Sequence, residues 1–115
     1  MKIGEVSKQT GLGVHAIRFY EKQGLVKTPV KDASGHRVYA PMDVELLNWI
    51  VCMKNSGMPL SRIQAYSKAF YLQDQLTCLT LLNEHLHYLE DKRDNIEHYL
   101  KVTKQKITGL KKRLT

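Results

Sequence analysis

Thiols and imidazoles are few in this chain of 115 residues: Cys52, Cys78, His15, His36, His85, His87 and His98. The two cysteines are too few for a disulfide framework, and they lack the CxxC or Cys/His spacing of a structural zinc site. No spacing of nucleophile, histidine and carboxylate suggests a catalytic triad. His85, His87 and Tyr88 fall on a helical surface pattern, so no enzyme activity and no cofactor are expected. Cys52 stands apart. In a helix expected from Pro41 to about Ser56, Val44, Leu47 and Val51 share an apolar face. Cys52 lies off that face, with Asn48, Trp49, Asn55 and Ser56 as helical neighbours. A thiolate is the reactive form of cysteine, and a cation such as Lys54 favours it. Two readings stay open: a reactive thiol, or an inert cysteine packed between helices. Cys78, beside Leu79, reads as a small buried hydrophobe.

The other stretch with chemistry is "AIRFYEKQGLV", residues 16 to 26. Arg18 is a permanent cation beside two large rings, Phe19 and Tyr20, on a helical segment, and at least one ring is expected on the exposed side. The formal net charge is +7 and the pI about 9.5. A basic small domain suggests a polyanionic partner, usually nucleic acid. No apolar run approaches the roughly 18 residues of a membrane span, and the N-terminus has no signal-peptide core, so no membrane association and a cytoplasmic location are expected.

These residues must be positioned by helices and one hairpin. A short helix is expected over Ile3 to Gln9, with Val6 facing inward. Thr10-Gly11-Leu12-Gly13 is a turn. A second helix runs from about Val14 to Gln23, with Gly24 as its C-terminal cap. Two short helices around a glycine turn make a helix-turn-helix. Val26 and Val38-Tyr39 favour strand around the turn residues Asp32 to Gly35, which predicts a hairpin carrying Lys27, Lys31, His36 and Arg37. Such a hairpin beside a helix-turn-helix is a winged-helix arrangement, with cations to lie along phosphates. A third helix begins at Pro41 and a fourth spans about Leu60 to Tyr71. Residues 74–115 hold no proline and one glycine, and read as a single long helix. Along it, steps of three and four place Leu79, Leu82, Leu86, Leu89, Arg93, Ile96, Leu100, Thr103, Ile107, Leu110 and Leu114 on one seam. All but Arg93 and Thr103 are apolar, the pattern of a coiled coil. A helix of about 60 Å outreaches a head of roughly 25–30 Å, so the seam needs a partner helix, most simply its copy in a second chain. The expected division is a DNA-binding domain at 1–72 and a dimerisation helix at 74–115.

"IGEVSKQTGL", "IRFYEKQGLV", "GHRVY" and "SGMPLSRI", followed by the long helix, resemble the MerR family of bacterial transcription regulators. The resemblance covers essentially the whole chain in order. It implies a mainly α fold: a winged helix-turn-helix head, two further helices, and a long C-terminal dimerisation helix that pairs antiparallel. It also implies double-stranded promoter DNA as partner, homodimers that bend and untwist an over-long promoter spacer, and RNA polymerase acting on that DNA indirectly. By the same resemblance the second helix enters the major groove. His15 would read bases or hold phosphate, Arg18 would bind phosphate or base, and Tyr20 would reach phosphate with its ring along the sugar backbone. Phe19 would wedge the helix against the wing. Lys31, His36, Arg37 and the wing-base Tyr39 match wing positions, and Lys54 matches a phosphate contact. Lys31, where the family often has arginine, loses bidentate geometry. His36 stands for a common tyrosine, and Ala40 for a capping serine or threonine.

The signal is a separate matter. The long helix runs to Thr115, so no drug-binding domain is expected. Cys78 is near the place of a family metal-sensor cysteine, without the cysteine loop. "NWIVCMKNSGM" resembles the subgroup that responds to aldehydes and other thiol-reactive electrophiles through one cysteine, which would make Cys52 the sensor in a stress response. The alternatives are a small ligand or a metal as inducer, or a DNA-binding protein with no sensor cysteine.

Overall fold

The computed structural model describes residues 1–115. The elements run α1 (Ile3–Thr10), α2 (Val14–Lys22), β1 (Val30–Lys31), β2 (Arg37–Val38), α3 (Pro41–Asn55), α4 (Leu60–Tyr71) and α5 (Gln75–Leu114). The fold is mainly α: a winged helix-turn-helix, two further helices, and a long C-terminal helix. None of the helices is long and apolar enough to cross a membrane.

The α1–α2 turn depends on Gly11, whose φ of 73° is left-handed and open to glycine at no steric cost. Thr10 Oγ1 donates to the Val6 carbonyl at 2.8 Å and accepts from Leu12 N at 3.2 Å, closing the turn. Val6 and Ile17 are both fully buried in the core. At the end of α2, Gly24 takes φ 74° and Leu25 N donates to the Tyr20 carbonyl at 2.9 Å. This left-handed exit turns Leu25 and Val26 straight into the core. Val26 is therefore a buried loop residue and not the strand residue its type suggested. The strands begin only after Pro29 and pair antiparallel, Val30 with Val38 and Lys31 with Arg37. Tyr39 lies just past β2, and Lys2 forms an isolated bridge to Val38 along the hairpin's other edge.

Pro41 opens α3. Ala40 has no side-chain acceptor, but its N–H donates to Asp43 Oδ2 at 2.9 Å, supplying half of a capping box. Asp43, Val44, Leu46, Leu47, Ile50 and Met53 are buried. Of the expected face Val44 and Leu47 are buried while Val51 is only half-buried; the buried face is shifted and widened because α3 packs against both α1 and α4. The chain breaks between α4 and α5 at Gln73, a non-glycine residue at φ 58°. Asp74 then caps α5, accepting from Thr77 N at 3.1 Å and Thr77 Oγ1 at 2.6 Å. The chain divides into two compact units, Met1–Leu81 and Leu82–Thr115. The first two turns of α5 belong to the first unit, where Leu81 is buried.

Candidate nucleic-acid interface

Helical spacing splits α2 into two faces. Ile17 and Tyr20 are buried, while His15, Arg18, Phe19 and Lys22 are exposed. These four recur at steps of three and four, so they form one outward stripe. The two rings take the reverse of their expected places. Phe19 is 53% exposed and is no wedge against the wing, whereas Tyr20 is 5% exposed and its ring cannot lie along a sugar backbone without leaving the core. The periodicity decides this: Tyr20 is three residues from Ile17, on the face that packs inward. Lys22, four residues after Arg18, joins the stripe by spacing alone.

The wing is fastened to α2 by one carboxylate. Glu21, its side chain 7% exposed, accepts Arg37 Nε at 3.2 Å and the Tyr39 hydroxyl. Burial, and then the bond to Glu21, push the Tyr39 phenol above its ordinary value. Tyr39 is a fully buried strut of the wing base. Arg37 uses its Nε inward, which leaves the outer nitrogens of its fork for an anion. At the tip, Asp32 Oδ1 accepts the backbone N–H groups of Ser34 and His36, each at 2.9 Å, and Gly35 closes the turn at φ 78°. The carboxyl of Asp32 lies below its ordinary value, chiefly because of the His36 N–H. Lys31 and His36 are exposed on this hairpin.

Lys54 is exposed near the end of α3. Its Nζ lies 5.6 Å from the centre of the Tyr20 ring and donates to the Tyr20 hydroxyl at 3.4 Å. Tyr20 thus works from inside, holding a cation at the surface. The contacts of the Lys54 ammonium are with Tyr20. A second buried carboxylate binds the back of the interface: Asp43 accepts the Tyr71 hydroxyl at 2.7 Å, and that hydroxyl accepts Lys27 N at 3.3 Å.

The two thiols differ. Cys52 is exposed and Cys78 is half-buried. Burial first, and then the charge of Asp74, push the Cys78 thiol up, with a hydrogen bond to Tyr66 opposing. Cys78 is therefore not the fully buried hydrophobe that was expected.

An outward stripe on the second helix that carries Arg18 and Lys22, a cationic wing and a basic α3 terminus make a surface for a polyanion. The MerR HTH regulatory-protein family matches residues 1–69, more than half of the chain. This chain belongs to the MerR family. The HTH-type transcriptional regulator YfmP of Bacillus subtilis (strain 168) is 32% identical over 112 residues, covering 93% of this chain and 80% of its own. The fold is shared with a MerR family regulator of Listeria monocytogenes, at a TM-score of 0.81 and 23% identity over 93% of this chain and 83% of that one. It is shared too with HiNmlR, a MerR family regulator lacking the sensor domain and solved on promoter DNA. That likeness has a TM-score of 0.76 and 22% identity, over 93% of this chain and 86% of the other. This MerR protein is a DNA-binding transcriptional regulator and not an enzyme.

Proposed function

We propose that this MerR-family regulator acts as a homodimer that distorts promoter DNA for RNA polymerase, and that Cys52 receives a thiol-reactive electrophile as its signal. Pairing of the α5 seam is supported by its exposure in the single chain. Leu79, Leu86, Leu89, Ile96, Leu100, Ile107, Leu110 and Leu114 are 37–87% exposed, which leaves their hydrophobic area unburied. HiNmlR, the fold neighbour solved on promoter DNA, supports reading α2 and the wing as groove and backbone elements. Lys31, His36, Arg37 and Lys54 are the positioning cations of that reading. His15, Arg18 and the exposed Phe19 lie on the groove face, and Tyr20 and Tyr39 are the supports behind them.

The observation that carries the sensor is the contrast between the thiols. Cys52 is exposed one helical turn from Trp49 and Asn48 on α3, while Cys78 is half-buried and raised. Attack by the Cys52 thiolate on the β-carbon of an α,β-unsaturated aldehyde forms a C–S bond, and the resulting enolate takes a proton from water. The adduct enlarges a side chain beside the α3–α4 joint. The test is transcription from the cognate promoter with such an aldehyde. Cys52→Ser should bind DNA normally and lose induction, and Cys78→Ser should respond as wild type. Full induction in Cys52→Ser would move the signal elsewhere. A second reading then gains weight, because a recess of about 290 Å³ lies between α3 and α4, lined by Glu45, Leu46, Asn48, Trp49, Tyr66 and Phe70. Its aromatic walls suit a small apolar ligand.

A further inference from the structure

Beside the outward stripe of α2, a shallow recess of about 200 Å³ is lined by Lys2, Ile3, Arg18, Gly35, His36 and Arg37. Three permanent cations reach it from three separate segments: the N-terminal residues, α2 and the wing. Cations gathered this way repel one another unless an anion joins them. Two carboxylates stand nearby. Glu21 is committed to Arg37 and Tyr39. Asp32 holds Lys2 Nζ at 3.3 Å, with His36 Nδ1 at 3.8 Å.

Lys2 is placed by backbone pairing and not by a loose tether. It bridges Val38, and Met1 flanks it with two bonds: its amine donates to the Tyr39 carbonyl at 3.0 Å, and its carbonyl accepts Tyr39 N at 2.7 Å. The Lys2 side chain is 64% exposed and that of Asp32 27%. An ion pair so open to solvent contributes little and is screened by salt, so a denser anion displaces it readily.

We infer that this recess seats one phosphodiester of the DNA backbone, with Lys2 as a phosphate ligand beside Arg18 and Arg37. The inference rests on the DNA-binding reading of α2 and the wing, and adds a contact that no motif in the sequence marks. A phosphate contact of this kind adds affinity without base preference. Asp32 holds the Lys2 ammonium at the rim until DNA arrives.

The test uses the full chain and a duplex that the wild-type protein selects from a random-sequence library, with a scrambled duplex of equal length. Binding is measured from 50 to 200 mM salt. Lys2→Ala should flatten the slope of log affinity against log salt by about 1.8 for the proposed dimer, about 0.9 from each protomer. Its loss should be the same factor on both duplexes, and Lys2→Arg should restore the slope. Asp32→Asn breaks the ion pair but keeps the cation, so its slope should not flatten. An unchanged slope in Lys2→Ala overturns the inference. So does an equal flattening in Asp32→Asn, since Lys2 would then act only by holding the wing. Absence of salt-dependent binding by the wild type is a different result, and would fell the DNA reading of the whole interface.

Discussion

Arg18 and Asp32 show what single side chains do here. Arg18 is exposed on the outward stripe of α2 and also lines the recess toward the wing. Arg18→Ala should weaken binding to a selected duplex by about 1–3 kcal/mol, as the loss of a charged base or phosphate contact does. Titration with the scrambled duplex tells the two apart, since a purely phosphate role lowers both affinities alike. Asp32 ties the wing tip by accepting two backbone N–H groups. Its carboxyl is depressed from the ordinary 3.8, mainly by the His36 N–H. The folded state therefore prefers the carboxylate. The turn keeps its full contribution above about pH 4 and loses it as pH falls through the lower, folded value. The amide signal of Ser34 should hold its position from about pH 5 down to about pH 4 and shift below it. Asp32→Asn should abolish that acid transition.

Between elements, buried carboxylates do the joining. Glu21 links α2 to the wing through Arg37 and Tyr39, and Asp43 links α3 to α4 through Tyr71. Neither is a surface ion pair of the kind that contributes little. Glu21→Ala would strand the Tyr39 hydroxyl in a fully buried position. Leaving a buried donor unsatisfied costs about 1–3 kcal/mol, so the denaturation midpoint should fall by that amount with an unchanged denaturant dependence. The wing should also lose order relative to α2, which faster amide exchange at Arg37 and Val38 would report. A stability equal to wild type would mean that the Tyr39 hydroxyl finds another partner.

At the scale of the whole molecule, α5 spans Gln75–Leu114, and Leu82–Thr115 form a unit in which no residue is buried. A single helix offers no second surface to cover its own apolar stripe, so the proposed pairing is intermolecular. Leu86→Asp with Leu89→Asp puts two charges into the seam, each costing several kcal/mol when buried. Sedimentation should then show monomer or aggregate, and DNA affinity should fall steeply, since under the proposed pairing one head alone covers half of a two-fold site. A well-behaved dimer in that variant would remove the seam from the proposal.

Much of this was legible in the residues, because it depends on local chemistry. Glycines at 11, 24 and 35 mark left-handed turns that few other residues tolerate. Proline at 41 starts a helix, and the 3–4 spacing of leucines draws the seam of α5. The wing could be placed, but not its strand ends, since Val26 carries a strand former's side chain into a loop that only the core explains. Side-chain direction was legible where periodicity extended far enough: Lys22 follows from Arg18, and Tyr20 from Ile17. Other features were decided only by contacts distant in sequence. Lys54 meets Tyr20 across 34 positions, Tyr71 meets Asp43 across 28, and Lys2 pairs with Val38 at the wing. No local pattern encodes such pairings. They exist because the four helices of the head and the wing close on one core and bring those groups within hydrogen-bond reach, and that closure is a property of the packed chain as a whole.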